Sequence, residues 1–259
     1  MRRLKWDRDW ELVVVNNGST DGTAGLLRDL RGEFLPQLIV VDEPQPGLGR
    51  ARNAGVRACR GELVVFTDDD CYPSDDLLPM AAEVFKDPTL GFAGGRVLLY
   101  DPTDRRIGIQ ERTERREVRP GEFIPAGRIN GANMAFRRSS LQAAGGFDAD
   151  LGAGTPFPCE DVDMLARLSA AGWNGAYDPR LVVHHHHRRK TQAEAQALLR
   201  SYDIGRGAYY AKCLLNPTLR QVYARSWWRS LRRARCTRSL REIMGAVRYV
   251  ARMWSRRRA

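Results

Sequence analysis

The stretch that decides the fold is Leu63-Val64-Val65-Phe66-Thr67-Asp68-Asp69-Asp70. Its first five residues, mostly apolar and partly β-branched, predict a strand covered on both faces, as in a parallel sheet between helical layers. Three carboxylates follow at its carboxyl end, where open α/β sheets place their ligands. Adjacent acids repel one another, so the cluster calls for a cation or solvent to offset it. Hard oxygen donors at that spot suit Mg²⁺ or Mn²⁺ holding phosphates. Taken alone, the same residues also fit a solvated acidic turn, leading through Pro73 into a helix over Leu77 to Phe85 capped by Ser74 or Asp75.

Working outward, Glu11 to Asn17 (ELVVVNN) is a second β-branched run, and Ser19, Thr20 or Asp21 can cap a helix carrying Leu26, Leu27 and Leu30. Leu38 to Asp42 is a third strand candidate, closed by Pro44 and Pro46. Gly47 to Cys59 reads as a helix bearing Arg50, Arg52 and Arg57. Strands alternating with helices at this pace predict a doubly wound α/β sheet. The five scattered cysteines, without a CxxC, read as reduced thiols in a cytosolic setting. No run of apolar residues is long enough to span a membrane.

Charge divides the chain. Residues 1–189 hold 25 Lys+Arg against 28 Asp+Glu, whereas residues 190–259 hold 17 against 3. The overall charge of +11 therefore belongs to the C-terminal segment.

VVVNNGSTDGT, then GLGRARNAGVRACRGELVVFTDDD, resembles the nucleotide-binding half of family 2 glycosyltransferases. GANMAFRR (Gly131 to Arg138) and CEDVDMLARLSAAGW (Cys159 to Trp173) are similar to the family's G-x-N strand and acceptor helix. The run from Leu181 to His187 is similar to its V-x-H-x-H ending. The likeness covers roughly residues 10 to 190. It implies an α/β GT-A fold, a Rossmann-like mixed sheet flanked by helices, over residues 1–190, while charge and helical spacing read residues 191–259 as a basic amphipathic helical tail.

The resemblance also implies roles. Asp161 would be the general base for an inverting displacement, with Glu160 beside it orienting the acceptor or shifting a pKa. Asp68 and Asp70 would hold Mn²⁺ or Mg²⁺, aided by His185, with His187 or, one residue out of register, His184 as further candidates. Asn16, Asn17, Arg52, Asp68 and Asn133 would contact a nucleotide-diphosphate sugar. Local alternatives stand beside these roles: Glu160 and Asp161 also fit an acid-rich helix N-terminus, and the histidines a solvated basic turn.

Three departures from the family pattern carry expectations. Asn16 stands where an Asp is usual, altering a contact to the donor base. Cys159 replaces a glycine in a loop expected to need flexibility. The family's first strand and helix, about 30 residues, have only ten residues before Glu11 to hold them. Its place would lie between ELVVVNN and LVVFTDDD, so those strands should pair directly or draw residues 1–10 into the gap. On that basis the chain is expected to fold poorly and transfer sugar weakly without an upstream segment. Residues 101–122, mixed in charge, read as a solvated helix or mobile loop.

In the tail, Leu240, Ile243, Met244, Val247, Val250 and Trp254 keep helical spacing, as do Leu219, Val222, Tyr223 and Trp227, with arginines between. A basic amphipathic pair suits an anionic membrane surface or plain packing, while no nucleic-acid motif accompanies it. Together these readings predict a metal-dependent glycosyltransferase with a glycan or lipid-linked acceptor, peripheral on the inner membrane face. The alternative is a catalytically dead scaffold that binds a membrane surface or partner.

Overall fold

The computed structural model describes residues 4–33, 38–234 and 236–256. Strands β1 (Leu12–Asn17) and β2 (Leu38–Glu43) form a parallel pair, with Asn16 opposite Asp42. Helix α1 (Thr23–Glu33) links them, and Asp21 closes its first turn by accepting the Thr23 N–H at 3.0 Å. Helix α2 (Leu48–Ala58) packs back on β1, where Gly55 faces Val15.

The buried run of the opening motif becomes β3 (Leu63–Phe66), followed by β4 (Cys71–Pro73), α3 (Leu77–Val84), β5 (Leu90–Leu99), β6 (Arg116–Val118), β7 (Met134–Arg137), α4 (Arg138–Ala143), α5 (Glu160–Ala170) and β8 (Asn174–His185). These strands make a second, mixed sheet in the order β3-β7-β5-β8-β4, with β6 also on β8. β5 and β8 run parallel, and the other pairings are antiparallel.

The expectation of one doubly wound sheet is therefore corrected to two sheets: β1 pairs with β2 only, and β3 with β7 only. Neither the direct β1–β3 ladder nor a strand within residues 4–11 forms; residues 1–3 lie outside the described residues. Leu4 instead packs on the core cluster that Leu63 and Val65 also border, and the Lys5 N–H donates to the Asp75 carbonyl at 2.7 Å. Glu11 joins the two sheets by accepting the N–H groups of Arg60 and Gly61, the latter at 2.9 Å.

Three local expectations also change. Helix α3 has Asp76 at its N-cap with no side-chain bond, and the Ser74 carbonyl accepts the Leu77 N–H. Residues 101–122 form no helix; they are tied down by β6, by mutual Val97–Gln110 backbone bonds and by buried Ile107 and Val118. Cys159 has φ −163°, extended backbone open to any residue, and its side chain is buried in the core.

The basic tail becomes α6 (Gln192–Leu215), α7 (Arg220–Arg233) and α8 (Cys236–Arg256). Thr191 and Glu194 form a capping box at the start of α6. These helices share the main core: Tyr209, Tyr223 and Tyr249 belong to the same apolar cluster as Phe92, Phe136 and Phe157. Buried hydroxyls are matched, Tyr209 donating to the Ile124 carbonyl at 2.9 Å. No described helix is long and apolar enough to cross a membrane.

Candidate active site

At the carboxyl end of β3 the chain turns through Thr67–Asp70 and returns as β4, antiparallel to the end of β8. This register sets Cys71 opposite His185 and ties the His186 N–H to the Asp70 carbonyl at 2.9 Å. Asp68, Asp70, Cys71 and His185 each offer a ligand atom, all within 4.8 Å of one another. His185 Nε2 lies 3.1 Å and 3.2 Å from the two Asp70 oxygens.

Strand alternation selects among the histidines. His184 pairs with Tyr72 on the other face, and the His186 ring lies 5.1 Å from that of Tyr100. His187 is buried in a backbone role: Nδ1 accepts the Arg189 N–H, leaving Nε2 to donate to the Arg105 carbonyl at 2.8 Å.

The hydrogen bond from His185 holds the Asp70 carboxyl below its usual range. Burial pushes that of Asp68 upward, against the pull of Arg52 3.7 Å away. Burial likewise pushes the Cys71 thiol up to about 12, so it stands beside the acids as a neutral S–H.

Arg52 sits at the centre of a second group. Only 6% exposed, it donates from Nη1 to Glu160 Oε1 at 2.5 Å and from Nη2 to the Gly131 carbonyl at 3.2 Å. Its guanidinium lies near the rings of Phe147 and Phe66, 5.5 and 5.9 Å from their centroids. Glu160, at the start of α5, is pushed up to about 7 by burial, opposed by Arg52 and reinforced by Asp161. Asp161 accepts the Gly131 N–H at 3.0 Å and the Val162 N–H at 2.7 Å. The two acids thus share a helix N-terminus, where the peptide dipoles favour negative charge.

The asparagines are placed differently. Asn16 donates to Asp42 at 2.8 Å, while its own side-chain oxygen is buried without a partner. Asn17 donates to the Glu43 and Gln45 carbonyls and accepts the Gly47 N–H, which fixes the turn into α2. Asn133 is buried, its amide donating to the Arg96 and Leu181 carbonyls at 2.8 and 3.0 Å, so it ties β5 to β8 outside the acidic cluster.

Two residues at the site were not anticipated. Cys71 directly follows the acids but fits no metal-binding spacing. Tyr202, on α6, has its hydroxyl pushed up to about 12 by burial and by the nearby charges of Asp161, Glu160 and Asp68. A tyrosine within a long helix carries no motif that could have marked it.

The fold resembles those of solved structures. A mannosyltransferase from Pyrobaculum calidifontis, solved in complex with GDP-Man and Mn²⁺, superposes with a TM-score of 0.64 over 96% of this chain and 69% of its own, at 23% identity. Residues 1–349 of S. aureus TarS, in complex with UDP-GlcNAc, give 0.56 over 91% and 70%, at 16% identity. The fold is accordingly GT-A. In sequence, the glycosyltransferase AglE of Haloferax volcanii is 23% identical over 229 residues, 85% of this chain and 69% of its own. An uncharacterized glycosyltransferase of Mycobacterium tuberculosis, Rv0539, is 31% identical over 179 residues, 66% of this chain and 75% of its own. The sequence model of the glycosyl transferase family 2 matches residues 2–145, more than half of the chain, and the protein belongs to that family of glycosyltransferases.

Proposed function

We propose that the chain transfers a sugar from a nucleoside-diphosphate donor to an acceptor hydroxyl, with inversion and with a divalent cation at Asp68, Asp70 and His185. One observation carries this reading: the acid–histidine cluster and the Arg52–Glu160–Asp161 group meet at Asp68, 3.7 Å from Arg52. The donor set fits a cation. Two carboxylates supply hard oxygens, and the softer imidazole favours Mn²⁺ over Mg²⁺. A bound cation would act as a Lewis acid on the departing diphosphate oxygen. The nucleotide sugars bound by the two solved relatives support this donor class.

The chain's own residues supply the rest. Arg52 holds Asp68 and Glu160 in fixed relation, so donor and acceptor sides are oriented together. Asp161 takes the proton of the attacking hydroxyl, its carboxylate aimed by the Gly131 and Val162 N–H groups. Asn16 and Asn17, at the end of β1, shape the donor side. The acceptor is a glycan or lipid-linked hydroxyl reached at an anionic membrane surface, with the protein on the inner membrane face.

Calorimetry with GDP and UDP tests the reading. Mn²⁺ is expected to tighten binding of one of them by on the order of tenfold or more, and Asp70→Ala to abolish the gain. Equal affinity with and without metal would remove the cation from the site.

A further inference from the structure

Helix α8 is amphipathic in an unusual sense: its apolar stripe faces away from the protein. Glu242, Gly245, Ala246 and Tyr249 are buried. Successive residues turn by about 100°, so Leu240, Ile243, Met244, Val247 and Trp254 fall on the opposite side. They are exposed there, Leu240 at 65%, Val247 at 63% and Trp254 at 62%.

The buried side docks the helix through small residues and Tyr249, with half-buried Val250 and Met253 against the same core. Gly207 of α6 and Gly245 of α8 let the backbones touch, since a Cβ on either would lie 1.8 Å from the Glu242 carbonyl oxygen or 2.1 Å from that of Ile204. Glu242 is fully buried and bonded to Arg206, Arg238 and the Trp227 N–H. The outward stripe is therefore not needed to dock α8 on the body.

Charge indicates what covers the stripe. Of the three acids in residues 190–259, Asp203 and Glu242 are already matched by Arg206, Arg238 and Arg241. Exposed Arg248 flanks the stripe and makes no ion pair with a described residue; the same holds for Arg225, Arg229 and Arg232 around exposed Trp228 on α7. A second copy would set these cations against their like, whereas anionic lipid headgroups neutralise them.

We infer that α8 is an interfacial helix: its stripe enters the headgroup layer of an anionic bilayer, with the arginines on phosphate. This rests on the proposed transfer reaction only for its purpose, presenting the site to a membrane-borne acceptor. The route is short. Tyr249 packs edge-on against Phe157 at 5.6 Å, Arg252 and Arg256 pair with Asp150, and the loop holding these residues leads into Glu160 and Asp161.

The test is sedimentation of the full chain with vesicles of equimolar phosphatidylcholine and phosphatidylglycerol, against phosphatidylcholine alone, without donor or metal. Binding is expected only to the anionic vesicles. The double change Leu240→Asp and Val247→Asp should weaken it about 10²-fold, and Arg248→Glu on the order of tenfold. Nucleotide affinity and melting temperature should stay unchanged in both variants. Vesicle binding that ignores the double change would overturn the inference, as would a soluble dimer that it dissolves. Because lipid and nucleotide are measured separately, failure of the transfer reading would show only in calorimetry.

Discussion

Glu160 and Asp161 are sequence neighbours with different surroundings. Glu160 is enclosed beneath Arg52, while Asp161 is partly exposed and held by two backbone N–H groups. Asp161→Asn is expected to cut turnover by about 10²-fold or more with donor affinity intact, measured as steady-state rate beside calorimetric binding. Glu160 makes a pH signature. Its folded value of about 7 exceeds the ordinary 4.5, so the folded chain holds the proton more tightly than the unfolded one. Its contribution to stability is full below the unfolded value and falls as pH rises through about 7. Glu160→Gln should remove that component from melting curves recorded across the range, along with any inflection near 7 in the rate profile. Part of this geometry was legible beforehand: Asp68, Asp70 and His185 lie together, and strand alternation resolves the histidine register. The Arg52–Glu160 bond was not legible, because it joins positions 108 residues apart that no local pattern links. The bonds of Asn133 were not legible for the same reason, since its partners lie on two distant strands.

At the scale of elements, the α6–α8 contact gives the sharpest prediction. Gly207→Val would push side-chain atoms into the Glu242 backbone, a collision that overpacking costs put at about 1–3 kcal/mol or more. The melting temperature should fall by several degrees, and vesicle binding should weaken as α8 is displaced. Helical spacing predicted α8 but left its orientation open between packing and membrane contact. The structure contains both faces. The buried one is made of glycine, alanine, a matched glutamate and Tyr249, most of which look polar or neutral in a hydropathy pattern. The apolar stripe therefore could not announce that it points outward.

Over the whole molecule, the two sheets differ in how well they are covered. Every residue of β1 is only partly buried, whereas Leu90 to Gly95 of β5 are all buried. A two-stranded sheet so thinly covered is marginal by itself. Hydrogen exchange read by mass spectrometry should show peptides from β1 and β2 exchanging well before those from β5 and α5; uniform exchange would mean that both sheets unfold as one unit. Besides Glu11, one face of α2 joins the halves: Gly49 lies against the Asp148 and Leu151 carbonyls, Arg52 against Glu160, and Asn53 against both backbone polar groups of Phe147. That arrangement makes Arg52 a shared resource with a conserved quantity, its five N–H donors. On the proposed reading, a donor diphosphate at Asp68 would compete for the same guanidinium that stabilises Glu160 in its ionised form. Each phosphate contact drawn from Arg52 would then loosen Glu160's hold on its charge, so on the proposed reading donor occupancy and the proton affinity of Glu160 would be coupled.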